Sequence, residues 1–269
     1  MSIKTLVGVF FLATAMSTGL WADDEPAARP AISISVVEGH SFALPADMMV
    51  DNSQLKGLAA NMQSMDITSL SLAGHHEVTS DSLEAFENLQ TLKELDLRAT
   101  GIRDEGLARL AKLTALESLD LSETLITNDG LASLSGLKHL RKLSLHSTGI
   151  DDAGLVNLKG LTELQELNLN GNEIKGEGLV HLKPLSHLET LDLGSTKLSG
   201  LTLAPLRSLL NLETLHVNNT SINNEGIAVL RGLPKLQMLN VSCTEVTDDG
   251  LAIFQSIPGF QSLNVCPDR

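Results

Sequence analysis

The sequence repeats itself every 24 residues over most of its length. Consecutive segments open at Leu92, Leu116, Leu140, Leu164, Leu188, Leu212 and Leu236, and a truncated copy opens at Phe260. The first two segments are LKELDLRATGIRDEGLARLAKLTA and LESLDLSETLITNDGLASLSGLKH, so the shared pattern is LxxLxLxxTxIxxxGLxxLxxLxx. Repetition of this length is typical of a solenoid, in which each repeat buries its apolar side chains against its neighbours.

Each repeat combines a strand pattern with a helix pattern. Apolar positions alternate in LxxLxL, as at Leu95 and Leu97, which predicts a short strand with an apolar inner side and a polar outer side. The leucines that follow, such as Leu107 and Leu110, have helical spacing. We therefore expect about nine parallel strands within residues 67–265, forming one curved sheet with short helices on its convex side.

These residues resemble the leucine-rich-repeat signature, LxxLxLxx followed by Thr or Asn and then an aliphatic residue. The match runs from Leu92 to Gly259 without a shift of register, and residues 67–91 add a copy with one extra residue. The resemblance implies an α/β solenoid, a curved horseshoe with parallel strands on its concave face and short helices on its convex face. The TDxGLxxLxxL half is similar to repeats of bacterial proteins and of F-box-linked receptors, although no F-box-like domain precedes Ile67.

A polar residue recurs nine places into each repeat. These residues are Thr100, Thr124, Thr148, Asn172, Thr196, Thr220 and Thr244. A buried turn leaves backbone groups unpaired at a cost of about 1–3 kcal/mol each, and hydroxyl or amide side chains can pair with them. We therefore predict a structural role for this position, with no catalytic threonine.

A second recurring group precedes the helical leucines. Asp104, Asn128, Asp152, Asn224 and Asp248 suit the first positions of short helices, and the glycines two places later permit close backbone approach. The repeat from Leu188 departs from this pattern, because Gly200 and Thr202 replace these residues and Pro205 enters the second half. We expect a distorted or shortened helix in that repeat.

The chain divides into four predicted segments. Residues 1–22 resemble a secretory signal peptide, with an early lysine, an apolar run and the small Ala22 before an acidic stretch. We expect a disordered linker at residues 23–30, an N-terminal capping region at residues 31–66 and the repeat domain at residues 67–269. No segment has the roughly 18 apolar residues that a membrane span requires. The predicted location is therefore periplasmic or extracellular.

The sequence contains no recognisable catalytic or cofactor motif. HExxH, GxSxG, a phosphate-binding glycine loop and a Cys pair at zinc spacing are all missing from it. His75 and His76 are adjacent, but neighbouring residues of a strand point apart, so we do not expect them to share a metal. The net charge of −14 disfavours nucleic acid. We predict a protein that is not an enzyme and needs no cofactor.

The outward strand positions form the candidate binding surface. They include Glu94, Asp96, Arg98, Asp120, His146, Glu166, Asn168, Asp192, His216 and Asn240. The family resemblance implies that this concave face binds another protein, and its acidic residues favour a basic partner surface. With no Tyr in the chain, we expect moderate, salt-sensitive affinity. The alternative is a solvated wall on a structural or cell-envelope component without a discrete partner.

The two cysteines occupy nearly equivalent places in neighbouring repeats, Cys243 eighth and Cys266 seventh. Stacked strands would bring them close to the ~4.4–6.8 Å Cα separation that a disulfide requires. We predict a disulfide between them in the exported protein, where it would hold the last repeat in place. The alternative is two free thiols.

Overall fold

The computed structural model describes residues 36–37, 41–44, 50, 52–63, 66–252, 254 and 259–265. Within them the chain forms an 11-stranded sheet whose strands lie in sequence order. The strands are β1 Val36–Val37, β2 Ser41–Ala43, β3 Ser69–Ser71, β4 Glu94–Asp96, β5 Ser118–Asp120, β6 Lys142–Ser144, β7 Glu166–Asn168, β8 Thr190–Asp192, β9 Thr214–His216, β10 Met238–Asn240 and β11 Ser262–Asn264. The predicted signal peptide and linker lie outside the described residues.

The nine strands expected within residues 67–265 are confirmed as β3 to β11, and all of them run parallel. β2 adds a tenth parallel strand before them, and β1 pairs antiparallel with β2. Successive strands pair in the same register, with Leu95 beside Leu119 and Leu119 beside Leu143. The fold is therefore the solenoid that the repeat length predicted, with the leucine-rich-repeat architecture that the resemblance implied.

Short helices form the opposite wall of the solenoid. The α-helices are α1 Asn52–Gln63, α2 Asp104–Leu110, α3 Asn128–Leu131, α4 Asn224–Ala228 and α5 Asp248–Leu251. The 3-10 helices are Ser80–Phe86, Ala132–Gly136, Gly154–Leu158, Glu177–Leu182, Gly200–Ser208 and Val229–Gly232. The leucines at successive third positions explain this mixture, because a 3-10 helix has three residues per turn and keeps them on one side.

One continuous core lies between the sheet and the helices. Leu119 of β5 is 1% exposed, and Leu131 of α3 and Leu134 of the next turn are fully buried. At the N-terminal end, Phe42 of β2 and Leu55 of α1 belong to the same cluster. Every repeat therefore depends on its neighbours for burial, as expected of a solenoid.

The structural role predicted for the recurring Thr or Asn is confirmed. The Thr124 hydroxyl donates to the Leu121 carbonyl at 2.6 Å, and the other buried threonines of this series make the equivalent bond. Asn172 spans two repeats, because its amide nitrogen donates to the carbonyls of Leu145 and Leu169 at 2.7 and 2.9 Å. These bonds pair the carbonyl groups that the end of each strand buries.

The recurring Asp or Asn is the first helical residue in four of the five repeats, whereas the helix after Asp152 begins at Gly154. Its side-chain hydrogen bonds reach the next repeat. α2 begins at Asp104, whose carboxylate accepts the N–H and the hydroxyl of Thr127 at 2.8 and 2.6 Å. Asp152 likewise accepts the backbone N–H groups of Gly176 and Gly178. A Cβ on Gly178 would lie 2.8 Å from the Cα of Asp152. The glycine therefore makes room for this contact between repeats.

The helix of the irregular repeat, which the sequence predicts to be distorted or shortened, is not shortened. It is a 3-10 helix of nine residues, Gly200–Ser208, with Pro205 inside it. Leu203, Leu206 and Leu209 keep the three-residue spacing and are buried. The 3-10 conformation extends through the segment because this spacing matches its three residues per turn.

Candidate functional site

The strands place the ten predicted surface residues on the concave face, which we define as the outward side chains of β4 to β10 and of the residues two places after them. Glu94, Arg98 and Glu166 are exposed, and the other seven are half-buried. The strand register puts Asp96 beside Asp120, and Asp192 beside His216. The structure therefore brings the predicted residues together in continuous rows, although adjacency alone assigns them no ligand.

Five of the ten predicted surface residues stabilise the turn at the end of their own strand. The side-chain oxygens of Asp96, Asp120, Asn168, Asp192 and Asn240 accept the backbone N–H groups of Arg98, Ser122, Asn170, Gly194 and Ser242, at 2.8–3.2 Å. This is the local turn that Asp and Asn favour, two residues on. Sequence reasoning missed this role, although the recurrence of Asp or Asn directly after LxxL was its signal.

The third residue after the end of each strand from β4 to β10 adopts a left-handed backbone conformation, which turns the chain. Ala99, Glu123, Ser147, Gly171, Ser195, Asn219 and Cys243 have φ between +50° and +75°. Only Gly171 and Asn219 belong to types that adopt this conformation readily. Local sequence preference does not predict this turn, because the stacking of repeats imposes it on residues with no preference for it.

The charge of the concave face is more balanced than its acidic residues alone suggest. Lys142, which the sequence reasoning overlooked, pairs with Glu166 at 2.7 Å, and Arg98 pairs with Asp96 at 3.0 Å. Asp120 accepts from the hydroxyl of Ser122 at 2.5 Å. Asp120 therefore accepts from neutral hydrogen-bond donors and has no ion-pair partner among the described residues.

An open groove of about 350 Å³ crosses β5 to β9 on this face. Its lining includes Asp120, Lys142, Glu166, Asp192 and His216. The groove is shallow and lined by polar side chains from successive strands. Its shape suits a segment of another protein laid across the strands better than an enclosed small molecule.

Other predictions from the sequence concern parts of the chain outside the concave face. His75 and His76 lie in the turn after β3 and not on a strand. The buried ring of His75 lies against the carbonyls of Leu72 and Ala73, whereas His76 is exposed. Cys243 is exposed, but Cys266 lies outside the described residues, so the disulfide stays a prediction. No helix in the described part of the chain is long and apolar enough to cross a membrane.

Known proteins with similar sequences or structures have the same kind of fold. The Leucine Rich repeat family profile matches residues 88–111, 112–135, 136–159, 161–182 and 232–252. The chain is 26% identical to internalin C2 of Listeria monocytogenes, with a TM-score of 0.63 over 80% of this chain and 84% of that one. Internalin F of the same species is 22% identical, with a TM-score of 0.57 over 80% and 70% of the two chains.

A plant receptor has the same fold. The LRR ectodomain of the Arabidopsis thaliana membrane receptor kinase GASSHO1/SCHENGEN3 was solved in complex with CASPARIAN STRIP INTEGRITY FACTOR 2. It is 22% identical to this chain, with a TM-score of 0.54 over 74% of this chain and 24% of that one. No curated protein matches the sequence significantly.

Proposed function

This chain is a leucine-rich-repeat protein, and from that premise we propose that it is an exported, non-catalytic scaffold that binds another protein across its concave face. The observation that carries the proposal is the open polar groove over five parallel strands, β5 to β9. A surface of this kind presents many side chains in fixed positions. It offers area and hydrogen bonds without the enclosed pocket that a small substrate needs.

The charge of the groove favours a partner with a basic segment. The protein carries a net charge of −14, and the carboxylate of Asp120 lies among neutral hydrogen-bond donors. Glu94 is exposed on the neighbouring strand. Opposite charges at such a surface mainly accelerate encounter and select partners, and salt screens them. We expect affinity to fall as ionic strength rises.

Export is the second element of the proposal. Its support is the composition of residues 1–22, an apolar run that ends at a small residue before the acidic DDEP stretch. A periplasmic or extracellular location follows from it. Comparing the N-terminus of the purified exported protein with that of the full sequence tests this step, because cleavage after Ala22 would leave Asp23 first.

One observation favours the alternative, a structural or cell-envelope component without a discrete partner. Asp96, Asp120, Asn168, Asp192 and Asn240 already serve their own strand ends, as described above. Their presence is therefore explained without any ligand. A test must remove charge while keeping these turns intact.

Asparagine provides that substitution, because Asn168 and Asn240 make the same turn in other repeats. We propose selecting random peptides displayed on phage against the wild-type protein and the Asp96→Asn/Asp120→Asn variant. The wild type should enrich peptides rich in Lys and Arg. Their affinity for the variant should fall about tenfold or more at low salt, since two charges are lost and each is weakly screened there.

The matched control removes two carboxylates from the convex side. Glu105 and Glu225 are exposed in the first turns of α2 and α4, so Glu105→Gln/Glu225→Gln changes the net charge equally. This control should retain the selected peptides. An equal loss of peptide affinity in both variants would mean that the effect comes from the net charge of the protein alone. Undiminished binding by the concave variant would leave the concave face as a solvated wall and support the alternative.

A further inference from the structure

One outward position of the concave face carries no side chain. The residues two places after the ends of β4 to β10 form one row, Arg98, Ser122, His146, Asn170, Gly194, Asn218 and Ser242. A Cβ on Gly194 would lie 2.6 Å from Nδ2 of Asn170 and 2.8 Å from Oδ1 of Asn218. Gly194 has no left-handed φ, so its backbone does not require glycine. The two asparagine side chains, from the repeats on either side, therefore meet in the space that the missing side chain leaves.

Each of these two carboxamides is oriented by a neighbouring side chain. Nδ2 of Asn170 donates to Oδ1 of Asp192 at 3.2 Å, and the same oxygen accepts the N–H of Gly194 at 2.8 Å. Oδ1 of Asn218 accepts from Nδ2 of Asn240 at 3.2 Å. A carboxamide has one acceptor oxygen and one donor nitrogen. Among the described residues, the oxygen of Asn170 and the nitrogen of Asn218 are therefore left without a protein partner.

An acceptor beside a donor matches the main chain of one residue in an extended peptide. In an extended chain the N–H and the C=O of the same residue point to the same side, and the N–H comes first along the chain. The oxygen of Asn170 would accept that N–H, and the nitrogen of Asn218 would donate to that C=O. Asn170 follows β7 and Asn218 follows β9. A peptide bound in this way runs across the sheet from β7 toward β9.

This direction places the N-terminal part of such a peptide over the charged strands. Asp120, which accepts only from neutral donors, ends β5, whereas Gly194 follows β8. The strands lie in sequence order, so three strand spacings of about 4.8 Å, or about 14 Å, separate the two positions. An extended chain advances about 3.4 Å per residue, so about four residues cover this distance.

Resting on the proposed function, we propose that Asn170, Gly194 and Asn218 form a subsite for the main chain of an extended segment of the partner. The segment crosses the sheet from β5 toward β9, N-terminus first. A Lys or Arg about four residues before the residue held at the subsite contacts Asp120. Gly194 is essential to this arrangement, because a side chain there would separate the two carboxamides.

Variants of the protein test the subsite with the peptides selected on phage against the wild type. Gly194→Ala should weaken these peptides about tenfold or more, and at high as well as low salt, because no charge changes. Gly232→Ala is the matched control, since it adds the same methyl group on a convex helix where nothing lies within 4 Å. It should bind like the wild type, and circular dichroism checks that both variants are folded.

Asn218→Asp provides a second variant of nearly the same shape. It keeps the oxygen that accepts from Asn240 and replaces the free donor by an acceptor. It should also lose about tenfold or more in affinity, although its added negative charge attracts a basic peptide. Retention of wild-type affinity by Asn218→Asp would contradict the subsite.

Changes in the peptide test its direction and the role of its main chain. Methylation of the backbone nitrogen should abolish most of the affinity at one residue, about four positions after a Lys or Arg, and a peptide of reversed sequence should bind at least tenfold more weakly. Equal binding of the reversed peptide, or affinity that no single N-methylation lowers, would overturn the proposal. Loss of affinity in Asp96→Asn/Asp120→Asn but not in Gly194→Ala would overturn the subsite and leave the proposed function standing. Failure of the wild type to enrich any peptide would overturn both.

Discussion

At the residue scale, one asparagine holds carbonyls of two repeats, and the hydroxyl of Thr148 also lies 3.0 Å from one of them, the Leu145 carbonyl. Asn172 donates to carbonyls of its own repeat and of the preceding one, and its amide oxygen accepts the hydroxyl of Thr148 at 3.0 Å. Thr148 is only half-buried, unlike Thr124 and Thr196. Asn172 is 2% exposed, so its partners have no water to replace it.

We therefore predict that Asn172→Ala lowers the free energy of unfolding by about 2–4 kcal/mol, since more than one buried group loses its partner. Asn172→Thr should cost clearly less, because a hydroxyl can restore the bond within its own repeat, as in Thr196. Urea unfolding of the three proteins measures both values. Equal losses for the two variants would mean that the bond to the preceding repeat contributes little.

The residue scale also shows where sequence reasoning ends. The alternation of Leu95 and Leu97 specified their burial, and the hydroxyl of Thr100 specified its pairing with a buried carbonyl. The left-handed turn at Ala99 and Glu123 could not be foreseen, because local preference opposes it. The structural role of Asp96 could not be foreseen either. An aspartate that accepts a turn N–H and one that binds a ligand cannot be distinguished from the sequence.

At the element scale, neighbouring helices on the convex side are joined by ion pairs. Glu87, at the end of the helix Ser80–Phe86, contacts Lys112 and pairs with Arg109 at 3.1 Å. Its side chain is 16% exposed. The hydrogen bond from Lys112, followed by that from Arg109, holds the pKa of the Glu87 carboxyl below its ordinary value. The pair therefore links the repeat of β3 to the repeat of β4.

This lowered pKa predicts a pH dependence of stability. A carboxylate with a depressed folded-state pKa stabilises the protein above its unfolded pKa of about 4.3, and this stabilisation is lost as pH falls through the folded value. Glu87→Gln should therefore be less stable than the wild type at pH 7, and the difference should shrink between about pH 5 and pH 3. Urea unfolding across this range measures it. Glu105→Gln, on an exposed carboxylate, is the control, and a difference that does not vary with pH would contradict the assignment.

At the scale of the whole molecule, the main contacts among the described elements are made within a repeat or between neighbouring repeats. The 24-residue period predicted this arrangement and the parallel sheet, because a repeat that cannot bury its own leucines must stack. It did not predict β1, which pairs antiparallel with β2 at the N-terminal end of the sheet. The packing there depends on residues outside the regular pattern, such as Phe42 and Leu55, and the period carries no information about them.

Stability should consequently vary with position along the solenoid. Leu143 in β6 and Leu239 in β10 are equally buried, with exposures of 2% and 0%, and Ala at either should remove about 2–5 kcal/mol of local packing. Leu143 has stacked repeats on both sides, so its loss should lower protection from hydrogen exchange across the central strands and shift global unfolding. Among the described residues, Leu239 has only β11 on its C-terminal side, so Leu239→Ala should accelerate exchange in β10 and β11 while β4 to β8 keep wild-type protection. Exchange followed by mass spectrometry distinguishes the two patterns. Uniform acceleration in every repeat by Leu239→Ala would mean that the solenoid unfolds as a single cooperative unit, and that the repeat of β10 is as firmly held as the central repeats.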